Sequence, residues 1–99
     1  MIVKHPGKTE DTLAVTFRLP AIVWADRVTL VGDFNEWSLT ATPLTRNDET
    51  EPWEVTLELP RHHSFQFRYL VNGYHWENDW QADRYVPNPF GGENSVIET

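Results

Sequence analysis

Hydrophobic and polar residues alternate with period two over most of the chain, and no segment shows a convincing period of 3.6. Leu13, Val15, Phe17 and Leu19 alternate with Thr12, Ala14, Thr16 and Arg18 until Pro20, which stops the run because it has no ladder donor. Val28-Thr29-Leu30-Val31 forms a second run, closed by Gly32-Asp33. A third, Trp53-Glu54-Val55-Thr56-Leu57-Glu58-Leu59, ends at Pro60. The fourth, Phe65 to Val71, leads into Asn72-Gly73, a hairpin signal because both residues tolerate positive φ. Tyr74-His75-Trp76 is the expected return strand and Ser95-Val96-Ile97 a last short one. Short strands broken by Pro- and Gly-marked turns predict an all-β fold, an antiparallel β-sandwich of immunoglobulin-like (early-set) type.

Two stretches lack that alternation. Residues 1–10 are expected to be loosely ordered, as chain termini commonly are. The stretch Glu77 to Asn94 holds Pro87, Pro89, Gly91 and Gly92 and is expected to be a long irregular loop, either functional or mobile. No repeat, low-complexity tract or linker divides the 99 residues, so residues 1–99 are expected to make one domain, too short for a large enzyme.

Composition narrows the function classes. Fifteen acidic against eight basic residues give a formal charge of −7, and the lysines are only Lys4 and Lys8. Nucleic acid and anionic membrane are therefore poor partners, since both are held by clustered cations. A neutral polysaccharide is indifferent to net charge. Without cysteine there is neither a disulfide framework nor a thiolate metal site. The start, Met1 to Lys8, lacks the apolar stretch of a secretory signal, and no run approaches the roughly 20 apolar residues of a membrane span. The expected location is the cytoplasm, and the initial Met1 favours a whole protein over a fragment.

The candidate chemistry begins at Gly32-Asp33-Phe34-Asn35-Glu36-Trp37. A strand that ends in a polar turn and projects a tryptophan offers a flat, rigid apolar face suited to the C–H face of a sugar ring. Alternation along Phe65–Val71 places Arg68 with Gln66 and Leu70, opposite the inward Phe65, Phe67, Tyr69 and Val71. Arg68 thus stands on the outer face, free to donate to hydroxyls. Trp53, in phase with Val55, Leu57 and Leu59, belongs to the core. Trp24, after Ile22-Val23, and Trp80, in the long loop, are expected to pack, with a wider sugar surface as the alternative for Trp80.

Asp33 with Glu36, or Glu77 with Asp79, could be offered as an acid/base couple, but these residues are turn and loop formers. His62-His63 has no further ligands at metal spacing. There is no phosphate-binding Gly loop, nucleophile elbow or nucleotide motif. Neither catalysis nor a cofactor is expected.

Taken together, Val28 to Trp37, Trp53 to Leu59, Phe65 to Gly73 and Asn78 to Val96 resemble the N-terminal early-set domain of isoamylase and glycogen-branching enzymes. That is carbohydrate-binding module family 48, to which the glycogen-binding domain of the AMP-activated protein kinase β subunit is related. The resemblance covers about residues 12–98. It implies an α-glucan site made by two tryptophans, a lysine and a terminal-loop asparagine. Trp37 matches the first tryptophan, Arg68 the lysine, Trp76 the second tryptophan and Asn94 the asparagine, while Phe90 falls where a leucine projects into a cyclic sugar.

Three departures stand out. The hairpin Gly73-Tyr74-His75-Trp76 is one residue longer than the kinase-type spacing, so Tyr74, His75 or Trp76 takes the sugar-facing place, depending on whether a bulge absorbs the extra residue. Arginine replaces lysine at Arg68, a planar fork for a point donor. Gly92 stands where the kinase-type domain has a hydroxyl.

The resemblance thus implies a non-catalytic module for α-1,4-glucans such as glycogen, starch or maltodextrin, with a glucan-processing enzyme as a further candidate partner. The alternative is an accessory domain that docks such an enzyme and has little sugar affinity. That alternative calls for a tightly packed Trp37 and an exposed apolar patch elsewhere.

Overall fold

Each alternating run becomes a strand with one face toward a common core. The computed structural model describes residues 1–21 and 24–99. Its first sheet has three antiparallel strands, β1 (Ile2–Pro6), β2 (Thr12–Leu19) and β4 (Trp53–Pro60), with β2 in the middle. The second runs β3 (Val28–Gly32), β5 (Ser64–Val71), β8 (Glu93–Glu98) and β7 (Arg84–Pro87), and β6 (His75–Glu77) also pairs with β5. Among the described residues the only helical turn is a 3-10 turn at Asp33–Asn35, and no helix is long and apolar enough to cross a membrane.

Val15, Phe17, Leu19, Trp53 and Leu59 of the first sheet meet Leu30, Phe67, Tyr69, Val71 and Ile97 of the second in one buried core. Phe17 lies edge-on to Phe67 at 5.1 Å between ring centroids, and Phe67 edge-on to Tyr69 at 5.8 Å. Edge-to-face pairs of this kind contribute about 1 kcal/mol each beyond area burial. The all-β, immunoglobulin-like sandwich expected from the alternation is therefore the architecture found.

Four local expectations are corrected. Ile2–Pro6, within the stretch expected to be loose, pairs with β2 from Ile2↔Phe17 to Pro6↔Leu13. It is an edge strand carrying Lys4 and Pro6, the residue types that blunt edges, so it lacks a long alternating signature. The stretch 77–94 is not structureless, because Arg84–Pro87 forms β7 against β8, again as an edge strand ending in proline.

Trp24 does not pack: it is 77% exposed, and the neighbouring Ala25 takes the buried place. The pair Ile22-Val23 lies outside the described residues. Trp80 is also turned out, at 61% exposure, because Asp79 occupies the interior position beside it. Asp79 accepts from the Tyr69 hydroxyl at 2.7 Å, from the Met1 ammonium at 2.8 Å and from the Gln81 N–H at 2.7 Å. Trp53 is in the core as expected, with the Arg46 guanidinium 4.4 Å above its ring.

Candidate functional site

The turn that follows β3 is built residue by residue. Gly32 sits where an added Cβ would lie 2.6 Å from the Gln66 carbonyl oxygen and 2.7 Å from the Phe67 Cβ, so the chain passes β5 at a distance only glycine permits. Phe34 turns inward and packs on Phe17 at 5.6 Å and Phe65 at 5.8 Å. The Asn35 side chain accepts from the Gly32 N–H at 3.1 Å and donates to the Leu30 carbonyl at 2.9 Å and the Thr42 hydroxyl at 3.0 Å.

With the turn anchored, Glu36 and Trp37 both adopt φ 58°, a left-handed conformation uncommon for bulky residues. The Asp33 carboxylate accepts from the Trp37 indole N–H at 2.8 Å with one oxygen and from the Gln66 backbone N–H at 2.7 Å with the other. The indole nitrogen is thus already committed. Trp37 is half-buried, so what it leaves accessible is ring carbon rather than that donor.

The hairpin resolves which residue accompanies Arg68. Asn72 and Gly73 have φ 55° and 81°, as a two-residue type I′ turn requires, and the Tyr74 N–H donates to the Val71 carbonyl at 3.2 Å. Val71 also pairs with His75. Tyr74 and His75 therefore both oppose Val71, and the extra residue is absorbed as a bulge. Trp76 then pairs with Leu70 and shares the outward face of Arg68. The Arg68 guanidinium lies 5.5 Å from the Trp76 ring centroid.

That outward face has an apolar floor. Val31, Leu70 and Val96 are buried yet stand outside the main core. In register they sit beside Arg68, Trp76 and Gln66 respectively, and cross-strand neighbours have Cβ atoms about 5 Å apart. The larger side chains cover these aliphatic ones and are propped up by them.

Asn94 is 9% exposed. Its amide donates to Gln66 Oε1 at 3.0 Å and its Oδ1 accepts from the Asn88 amide at 3.3 Å, which leaves one N–H and one lone pair uncommitted. Asn88 Oδ1 in turn accepts from the backbone N–H groups of Phe90 at 2.9 Å and Gly92 at 3.2 Å. These bonds shape the hairpin loop 88–92, with Phe90 at its tip, 94% exposed. A hydrogen-bonded line thus runs from Trp37 through Asp33, Gln66, Asn94 and Asn88 to Phe90.

Beside it lies an open groove of about 790 Å³ whose walls include Arg68, Asn78, Tyr85, Asn88 and Glu93. Among the described residues no acceptor pairs with the Arg68 guanidinium, and its Nε is buried without a partner. Asp33 and Asp79 each accept hydrogen bonds on both carboxylate oxygens, which ties them to the turn and to the interior respectively. Among the described residues no cluster of metal-ligating side chains occurs.

Of the residues expected from the sequence, Trp37, Arg68, Trp76, Asn94 and Phe90, register puts Arg68, Trp76 and Asn94 on one sheet face, while Trp37 stands in the turn bonded to β5 through Asp33 and Phe90 at the exposed tip of the 88–92 loop. Sequence reasoning missed the connecting residues Asp33, Gln66 and Asn88. The phase of Gln66 with Arg68, and Asn88 between two prolines, were the available signals.

A flat sandwich face carrying aromatic rings and uncommitted amide and guanidinium donors is the site type of a carbohydrate-binding module. The sequence profile of carbohydrate-binding module 48 (isoamylase N-terminal domain) matches residues 7–90, and the chain belongs to that family. It is also similar to the 1,4-alpha-glucan branching enzyme GlgB of Aquifex aeolicus (strain VF5), 41% identical over 61 residues. That match covers 58% of this chain and spans only 10% of the relative's length.

Proposed function

We propose that this domain binds α-1,4-glucans such as glycogen, starch or maltodextrin, without catalysing a reaction itself, and holds them for a glucan-processing enzyme. One observation carries the reading. Arg68 has unpaired donors, lies over the Trp76 ring and shares its face with Asn94, and the Trp37 turn is bonded to the same strand through Asp33. The two tryptophans stack on glucosyl faces at about 1 kcal/mol each beyond burial. Arg68 and the free half of the Asn94 amide donate to and accept from hydroxyls.

One shallow site binds weakly, so retention comes from the many repeated units of a polymer or from a tethered enzyme. Trp37→Ala is expected to abolish retardation in a glycogen-containing native gel while the domain stays folded. Wild-type retardation, or an unfolded variant, would show that Trp37 is not a sugar contact. Tryptophan fluorescence titrated with maltoheptaose or β-cyclodextrin gives the independent check, and no response up to millimolar sugar refutes the reading.

A docking role is favoured by one separate feature, the exposed Trp80 beside a hollow of about 310 Å³ lined by Met1, Leu19 and Pro20. Trp80→Ala should then weaken capture of a glucan branching enzyme without altering the sugar titration.

A further inference from the structure

At the far end of β5 and β6 two aromatic rings stand in solvent. Trp24 is 77% and Tyr74 76% exposed, although an exposed aromatic pair serves no packing purpose. Both border the same two adjoining hollows, of about 330 and 370 Å³. Trp24, Asn72 and Tyr74 are common to the two. Asp26 and Arg27 complete one, and His75 and Glu77 contribute to the other. None of these residues lines the Arg68 groove.

The mount is rigid. Asn72 Oδ1 accepts from the backbone N–H groups of Asp26 at 2.7 Å and Arg27 at 3.2 Å, and the Asn72 N–H donates to the Arg27 carbonyl at 2.8 Å. The Arg27 guanidinium lies over Gly73, where an added Cβ would meet it at 2.5 Å. His75 and Glu77 are joined at 2.7 Å. Asp26 and Arg27, just past Trp24, are therefore tied to the hairpin tip that bears Tyr74.

We propose that the Trp24–Tyr74 pair is a second α-glucan contact, separate from the Arg68 platform. The proposal rests on the glucan reading of that platform. Flat rings ringed by carboxylate, guanidinium, imidazole and amide groups match a neutral polyhydroxyl ligand, whose C–H faces stack while its hydroxyls donate and accept. Among the described residues no exposed aliphatic side chain borders these hollows to widen the patch toward the roughly 800 Å² per partner of a stable protein interface. Tyr74 is two positions from Trp76 on one hairpin, so a polymer held at the platform lies within reach of the tip. Two weak contacts on one polymer raise retention through effective concentration.

The test follows indole N–H resonances during maltoheptaose titration, with glycogen-gel retention alongside. The Trp24 resonance should move at millimolar sugar even in Trp37→Ala, since a contact too weak to retard the protein alone still registers there. Trp24→Ala combined with Tyr74→Ala should lower glycogen affinity about tenfold, with an unchanged melting temperature and an unchanged Trp37 response. If Trp37 responds and Trp24 does not, or the double variant is retained like wild type, the tip contact is refuted and the platform stands. If neither resonance moves, both readings fall. A double variant that keeps its glycogen affinity but loses capture of a glucan branching enzyme makes the tip a protein-docking surface and overturns the proposal.

Discussion

The orientation of Trp37 depends on one carboxylate, and removing its double acceptor character tests whether that orientation matters. Asp33 bonds the Trp37 indole at 2.8 Å and the Gln66 backbone N–H at 2.7 Å. Asp33→Asn keeps the shape but replaces one oxygen by an NH₂ group, which faces an N–H with another N–H. One of the two bonds is lost. Hydrogen bonds to charged groups contribute about 1.5–3 kcal/mol, and solvent exposure of Asp33 brings the expected loss toward the low end.

Against this stands the left-handed backbone of Trp37, φ 58°, a conformation that costs on the order of 1–3 kcal/mol and persists only where its surroundings enforce it. The fold itself should hold, because Phe34 in the core and the three Asn35 bonds still anchor the turn. We expect the melting temperature to fall by a few degrees, about what 1 kcal/mol does to a domain of this size. The freed indole then samples other rotamers, and affinity for β-cyclodextrin drops about fivefold, the equivalent of about 1 kcal/mol. Calorimetry or fluorescence measures the affinity, and the Trp37 indole N–H resonance reports the lost bond directly. If that resonance moves to its solvent-exposed position while β-cyclodextrin binds as tightly as before, a held Trp37 is irrelevant to binding and the reasoning fails.

Three further outcomes follow from the same geometry. Gly32→Ala brings a Cβ within 2.6 Å of the Gln66 carbonyl and 2.7 Å of the Phe67 Cβ; overpacking of this kind costs about 1–3 kcal/mol, so the urea midpoint should fall, and an unchanged midpoint would show that β3 and β5 part easily. Gly92→Ser restores a hydroxyl beside the groove at a residue without positive φ, where an added Cβ meets only the Asn88 amide at 3.4 Å; glucan affinity should rise about threefold, the worth of a modest hydrogen bond, as read by the same titration. Burial raises the Tyr69 pKa well above 10.0, and the Asp79 charge and hydrogen bond add to it. A raised folded pKa means stability complete below the unfolded value and lost as pH rises above it, so the domain should weaken above about pH 10 and Tyr69→Phe should flatten that alkaline limb in a chemical-denaturation series.

The fold was legible wherever a strand has one buried face. Val15-Phe17-Leu19 and Phe67-Tyr69-Val71 alternate because each odd position enters the core, and the runs end at Pro20 and Asn72-Gly73 as turn chemistry dictates. The two strands missed, Ile2–Pro6 and Arg84–Pro87, are edges. There Lys4, Pro6, Arg84 and Pro87 serve solvent and discourage further pairing, which erases the alternation that would have announced them. Trp24 and Trp80 were misjudged for a related reason. In loops no period tells whether Trp24 or Ala25, Trp80 or Asp79, turns inward, and the small or hydrogen-bonded neighbour took the interior place in both.

At the candidate site the five residues were identifiable one at a time, but their coupling was not. Asp33, Gln66 and Asn88 act through side chains whose partners lie 33, 28 and 6 residues away along the chain, and such pairings leave no local pattern. The extra hairpin residue illustrates the limit from the other side. Counting alone flips Trp76 to the inner face, yet the Asn72-Gly73 turn closes on Tyr74, and Val71 accepts both Tyr74 and His75 as partners. Turn chemistry therefore outranks spacing here, because a type I′ turn fixes its own two residues and passes any surplus to the strand. The bulge that results keeps Trp76 under Arg68 and pushes Tyr74 out to the tip beside Trp24. A single inserted residue thus preserves the platform and supplies one of the two rings of the tip contact. Deleting Tyr74 should remove the tip contact and leave Trp76 paired with Leu70.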